Sequence, residues 1–409
     1  MRATILDRTT ATCGAYALVL LAVAVLATPQ VWRTSNTDVD LYANYGGRIA
    51  RGAVPYRDFF IEYPPGSLAA IAFPSMVTSE RAEYGRVFVS EMIALLALTI
   101  IATAAAFTGS GSTRGRIMLA LLPLSLAPVL LGPVSLQRFD LMAALCSAVA
   151  VVSALRCRFG IAGVALGLGA AIKIYPIVLL VPLAIFARSK RGPRAVLHAG
   201  IGFLASTGIV LAPFVAVGPG GIEHVLRYQF GRPLQVETVF ASGALIGQLS
   251  GLFRVGLGFA NGSVNYAGPH ALLLHDLEKA TLALTLAVLL TTSLKRAKRE
   301  PGFIASLASI TCAIVALGGV LSPQYVIWLL PIVPLLRGRL GVASTVALLA
   351  VMAATRIEYR NYYVALVQRE SSNSILALAG RNLLLLILLA ITVASLFTQP
   401  DVVSTRRGG

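Results

Sequence analysis

A small set of polar side chains interrupts an otherwise apolar chain, and their types suit general-base chemistry and anion binding in a membrane cavity. Asp38 and Asp40 are carboxylates that can take a proton from an attacking hydroxyl, so either can serve as general base. The same acids suit the start of a helix: Asn36-Thr37-Asp38 is good N-capping chemistry, and a helix N-terminus favours negative charge. Glu62-Tyr63-Pro64-Pro65 is extended and stiff, because proline restricts its own backbone and that of the residue before it. That stretch can aim Glu62 and Tyr63 into a cavity, or simply separate two helices. Arg138 and Asp140 stand at the end of an apolar run, where they suit either an ion pair at the membrane interface or a polar cavity. Lys173 lies between Gly-Ala-Ala-Ile and Ile-Tyr-Pro. A lysine among apolar residues in a membrane costs roughly 2.5–3.5 kcal/mol on insertion scales, so it points to an anion-binding role. Ser322-Pro323-Gln324-Tyr325 is a second break with hydrogen-bonding side chains, alongside that at Tyr175-Pro176.

The elements that must hold these groups are membrane helices. Of the 409 residues, 57% are hydrophobic and only 12% are charged, against roughly 25% charged in soluble domains. Mean hydropathy is +0.80. Such a chain is an all-α polytopic membrane protein, here with about ten to thirteen transmembrane helices. Apolar runs fall at about 12–28, 88–107, 117–131, 140–155, 159–172, 177–187, 195–217, 268–294, 302–320, 325–336, 340–354 and 375–397. The run 66–78 is short and reads as a re-entrant or interfacial piece. The chain is one membrane domain, 1–409, with outer segments at 29–87 and 218–267 and a cytoplasmic tail at 398–409. Within the first outer segment, 38–51 reads as an amphipathic interfacial helix, with Val39, Tyr42, Ile49, Ala50 and Ala53 roughly on one face.

Charge placement orients the chain. The net charge is +17, but Lys and Arg gather in short loops between apolar runs, as the positive-inside rule describes. One side takes 18 of the 34 basic residues and only Asp7, Glu300 and Asp401 of the 17 acids. Both termini are therefore expected in the cytoplasm, and the chemistry on the opposite face of the plasma membrane. A nucleic-acid reader would instead concentrate its charge on one polar surface. Arg far outnumbers Lys, a bias that suits a GC-rich bacterial genome. Cys13, Cys146, Cys157 and Cys312 form no CxxC pair, and His198, His224, His270 and His275 show no zinc spacing. Trp32 and Trp328 suit the interfacial aromatic belt.

The order Asp38…Tyr42, Gly52-Ala53-Val54-Pro55-Tyr56 and Tyr63-Pro64-Pro65 resembles glycosyltransferase family 87, a group of GT-C membrane enzymes. The resemblance continues through Ala162-Gly163, Lys173-Ile174-Tyr175-Pro176 and Ser322-Pro323-Gln324-Tyr325, and spans about residues 10–340. It implies a GT-C-type helix bundle, a polyprenyl-phosphate sugar donor (commonly mannose), a lipid or glycan acceptor, and inversion on the extracytoplasmic side. It places the catalytic acid in the first outer loop, at Asp38 or Asp40. Lys173 and Arg138 would then bind the donor phosphate, with Tyr42, Tyr56, Glu62, Tyr63, Asp140, Tyr175, Gln324 and Tyr325 lining the cavity. The scheme requires no cofactor and leaves room for a divalent cation. A transporter or flippase of a lipid-linked or polar solute would share broken helices and midplane charges, but the acids here cluster in an outer loop rather than along a path across the bilayer. A non-catalytic assembly subunit would tolerate substitution of Asp38 and Lys173.

Overall fold

The computed structural model describes residues 6–398 other than 36, 253, 269 and 369–371. Asn36 and almost all of the tail 398–409 thus lie outside the described residues. From the N-terminus, α1 (Arg8–Leu26) leads to the interfacial helix α2 (Asp38–Ala50), the short α3 (Leu68–Val77) and the long α4 (Arg81–Ala106). Next come α5 (Arg114–Ser125), a single turn α6 (Ala127–Leu130), α7 (Asp140–Leu155), α8 (Phe159–Ile172), α9 (Pro176–Arg191) and α10 (Pro193–Val217). The second outer segment folds into α11 (Pro219–Phe230), α12 (Val239–Leu249) and a hairpin of β1 (Leu257–Ala260) and β2 (Ser263–Tyr266). Then follow α13 (Ala271–Arg296), α14 (Glu300–Leu317), α15 (Gly338–Ile357), α16 (Tyr363–Gln368) and α17 (Ser372–Phe397).

Among the described residues, seven helices are long and apolar enough to cross a membrane: α1, α4, α10, α13, α14, the run Gly338–Gln368 and α17. Shorter apolar helices (65–77, 140–155, 159–172, 239–249 and 323–335) supplement them. The chain is an all-α polytopic membrane protein with one small hairpin. Leu204, Ile209 and Leu284 are exposed on α10 and α13, as expected where lipid replaces water. In contrast α14 and the segment 323–335 are enclosed.

Several boundaries differ from the sequence expectation. The helix expected from 88 begins at Arg81, because Arg81, Glu83 and Arg86 lie on its exposed first turns without breaking it. The run 117–131 is not one span; its helix stops at Ser125, just past Pro123, and restarts for a single turn. The piece 325–336 is 3-10 helix at Pro323–Leu329 and Val333–Leu335 rather than α-helix. The helix expected at 340–354 runs from Gly338 to Ile357 and continues through a π-turn, Glu358–Tyr362, into α16. In α2, Thr37 caps the helix by accepting from Val39 N at 3.2 Å. Its buried face is Val39, Tyr42 and Gly46, whereas Ala50 is exposed.

The basic connections touch one another. Asp7 Oδ2 accepts from Gly109 N at 3.3 Å, and Arg156 donates to Ala105 O at 3.3 Å. Arg116 donates to Pro334 O and Leu336 O, both at 2.6 Å, Arg337 pairs with Glu300, and Ser189 donates to Lys298 O at 2.8 Å. The helix that leads into the broken stretch at Lys173, α8, packs closely on α10. A Cβ at Gly163 would collide with Ala199 O, and one at Gly167 with Ser206 Oγ and Phe203 O. Gly167→Leu is therefore expected to lower the thermal midpoint of the detergent-purified protein, by about 1–3 kcal/mol of overpacking. Gly200→Leu, where nothing lies within 4 Å of the added Cβ, should leave it unchanged. Equal midpoints for the two variants would refute the close approach.

Candidate active site

Three consecutive residues ahead of and opening α7 organise the site. Arg138 Nε meets Asp38 Oδ2 at 2.9 Å, and Asp140 Oδ2 meets Lys173 Nζ at 3.3 Å. Between them Phe139 packs against Tyr42 at 5.4 Å and Tyr63 at 4.9 Å, ring centre to ring centre. Arg138 and Asp140 thus do not pair with each other; each reaches across to a different part of the chain. Gln137 fixes this stretch by donating to Val31 O at 3.0 Å and Arg33 O at 2.9 Å, just before α2. Asp38 is 41% exposed at its side chain, while Arg138 is 11% exposed, so a half-open acid rests on an enclosed cation. Asp40 points elsewhere. It pairs with the exposed Arg81 at 2.9 Å, a contact worth little in water.

Lys173 ends α8 in extended conformation, and Pro176 starts α9 where its missing N–H costs nothing. The ammonium lies 4.5 Å from the centre of the Phe139 ring, 5.7 Å from that of Tyr63 and 5.8 Å from that of Tyr325. Its counter-ion Asp140 is 1% exposed and also accepts from Trp328 Nε1 at 2.7 Å. Trp328 is therefore not a belt residue. It is buried, stacked between Tyr175 at 4.4 Å and Tyr325 at 4.2 Å, and its indole N–H finds the partner that burial demands. Tyr63 reaches Lys173 because Gly66 lets the Pro64-Pro65 turn lie directly on Ala171 O at the end of α8.

The remaining expected site residues make contacts of their own. Tyr56, at φ +67°, donates to Tyr63 O at 2.7 Å and packs on Phe214. The Tyr175 hydroxyl is engaged by Ser147 Oγ at 2.9 Å. Glu62 accepts from the Tyr45 hydroxyl at 2.7 Å, and Glu62 O accepts from Gln229 at 2.6 Å, which ties the first outer loop to α11. Burial, with that carboxylate as a lesser cause, raises the Tyr45 hydroxyl above its ordinary value. Tyr42 is fully buried beside Phe88. Gln324 is half-buried next to Tyr325. Among the described residues no group of three or more His, Cys, Asp or Glu could hold a metal.

Residues 60–323 match the model of glycosyltransferase family 87. The chain belongs to that family. It is accordingly a membrane glycosyltransferase, and it takes a sugar donor and an acceptor. No curated protein matches the sequence.

The glycosyltransferase also contains a polar cluster outside the sequence expectation. Residues 231–238 enter the bundle from the second outer segment. Val236 N donates to Val264 O at 3.0 Å, and Gln235 Oε1 accepts from Leu321 N at 2.7 Å. Glu237 O accepts from Arg381 at 2.8 Å and from Asn382 at 3.1 Å. Arg381 is 0% exposed, and Glu358 lies in the same enclosed cluster at the π-turn. The signal was present, since Arg381-Asn382 interrupts the apolar run 375–397 and a charge there needs a buried partner.

Burial, reinforced by Glu358 and partly offset by Arg381, holds the Glu237 carboxyl above its ordinary value of 4.5. A carboxyl raised on folding contributes stability that is complete below its unfolded value and is lost as pH rises through the folded one. The thermal midpoint should fall between the ordinary value of 4.5 and about pH 8, and Glu237→Gln should flatten that fall. Identical slopes in the two proteins would remove Glu237 as the source.

Proposed function

We propose that this glycosyltransferase moves a sugar, mannose, from a polyprenyl-phosphate donor to a hydroxyl of a lipid or glycan acceptor. The reaction takes place on the extracytoplasmic face of a bacterial plasma membrane, with inversion, and Asp38 is the general base. The observation that carries this reading is the contrast between the two first-loop acids. Asp38 stands half-open on the enclosed Arg138 beside Tyr42, Phe139 and Tyr63, while Asp40 is turned to an exposed arginine.

In the proposed step the acceptor oxygen attacks the anomeric carbon from the face opposite the phosphate. The new carbon–oxygen bond forms as the bond to phosphate oxygen breaks. Asp38 takes the hydroxyl proton, and polyprenyl phosphate leaves with the electron pair. Arg138 holds the carboxylate through Oδ2 and so fixes the direction in which the base faces. Lys173, in its aromatic surround, offers positive charge to the leaving phosphate where water is scarce. Basic connections gathered away from these acids support the assignment of the outer face.

The test is transfer from radiolabelled polyprenyl-phosphate mannose to a lipid and glycan extract in membranes. Asp38→Asn is expected to cut product by about 10²–10⁴-fold, the usual contribution of a positioned base. Asp40→Asn should stay close to wild type. Loss confined to Asp40→Asn would transfer the base to that residue, and a wild-type protein inactive with this donor would sink the donor assignment.

A further inference from the structure

Two cations address one phenol. Lys173 Nζ lies 5.8 Å from the centre of the Tyr325 ring, and the Arg232 side chain meets the hydroxyl of the same residue. Arg232 stands at the head of the 231–238 segment, half-buried. It donates to Asn261 O at 3.3 Å, and its guanidinium lies 5.9 Å from the centre of the Tyr228 ring. Its Nε is buried and has no hydrogen-bond partner. Among the described residues no carboxylate forms an ion pair with it. The other cations here are already matched: Arg138 to Asp38 and Lys173 to Asp140.

We propose that Arg232 is a ligand of the donor's phosphate, acting with Lys173 on either side of Tyr325. The inference rests on the polyprenyl-phosphate donor proposed above. A sugar phosphodiester carries one negative charge, and the departing monoester gains charge as the anomeric bond breaks, approaching two near neutral pH. Lys173 is already paired with Asp140, so its charge meets that increase only in part. Arg232 supplies a further positive charge, with a buried Nε–H that makes no hydrogen bond. The enclosed clamp of Gln235 and Glu237 on Leu321, Arg381 and Asn382 holds the segment that carries it. On this view the second outer segment contributes to the phosphate site.

The experiment measures equilibrium binding of labelled decaprenyl phosphate and of decaprenol, the uncharged alcohol, to the full chain in lipid nanodiscs. The quantity read is the ratio of the two affinities within each protein, so a partial loss of folded protein cancels. Wild type is expected to favour the phosphate, and Arg232→Gln to reduce that preference about tenfold or more while decaprenol still binds. Arg232→Lys, which keeps the charge, should retain most of it. An unchanged ratio in Arg232→Gln would overturn the inference and leave the donor assignment standing. Equal loss of both ligands would also overturn it, making Arg232 a strut for the hairpin through Asn261 O. A wild type that does not distinguish phosphate from alcohol would instead remove the donor assignment on which the inference rests.

Discussion

The crossed pairing at Arg138-Phe139-Asp140 is the constraint on which the site depends. Three successive residues bind the first outer loop through Asp38 and the broken α8–α9 junction through Lys173, and they place an aromatic ring between the two pairs. Asp140 is almost completely enclosed. Removing one member of a buried pair costs about 3–5 kcal/mol, since the remaining charge is stranded. Neither α2 nor Lys173 can move far without disturbing the other. A half-open carboxylate and an enclosed ammonium are thereby held in fixed relation on elements that share no local sequence.

The segment 218–267 is held to the bundle by a second set of hydrogen bonds. Its strand-like passage at 231–238 is satisfied by the hairpin on one side and by Gly319, Leu321, Arg381 and Asn382 on the other. The Asn261-Gly262 turn closes the hairpin with both residues at positive φ, as a tight two-residue turn requires. Irregular backbone is tolerated inside the bundle because protein groups receive its hydrogen bonds. That is also why so many polar side chains are enclosed around Glu237.

Much of the local architecture was legible in the sequence. Thr37-Asp38 marks the start of α2, Pro176 and Pro323 mark the breaks beside Lys173 and Tyr325, and the charge pattern separates basic connections from acids. What could not be read were relations between distant elements. Arg138 and Asp140, two residues apart, suggest a local pair, yet each finds its counter-ion elsewhere, because residues at i and i+2 of a helix start do not face each other. Trp328 resembles an interfacial residue until Asp140 is seen beneath its N–H. Periodicity underestimates α4, whose charged first turns carry no apolar signal. The segment 218–267 has a mixed composition that reveals neither its hairpin nor its entry into the bundle.

The crossed pairs also impose an order on the making of the protein. Asp38 leaves the ribosome long before Arg138 is synthesised, and Asp140 precedes Lys173 by a whole helical hairpin. Until Arg138 is made Asp38 has no counter-charge, and until α8 follows Asp140 lacks Lys173. Such charges are poorly tolerated in hydrocarbon, so the first loop must wait at the aqueous surface. Insertion of the α7–α9 region closes both pairs nearly together and turns a loose set of spans into the assembled site.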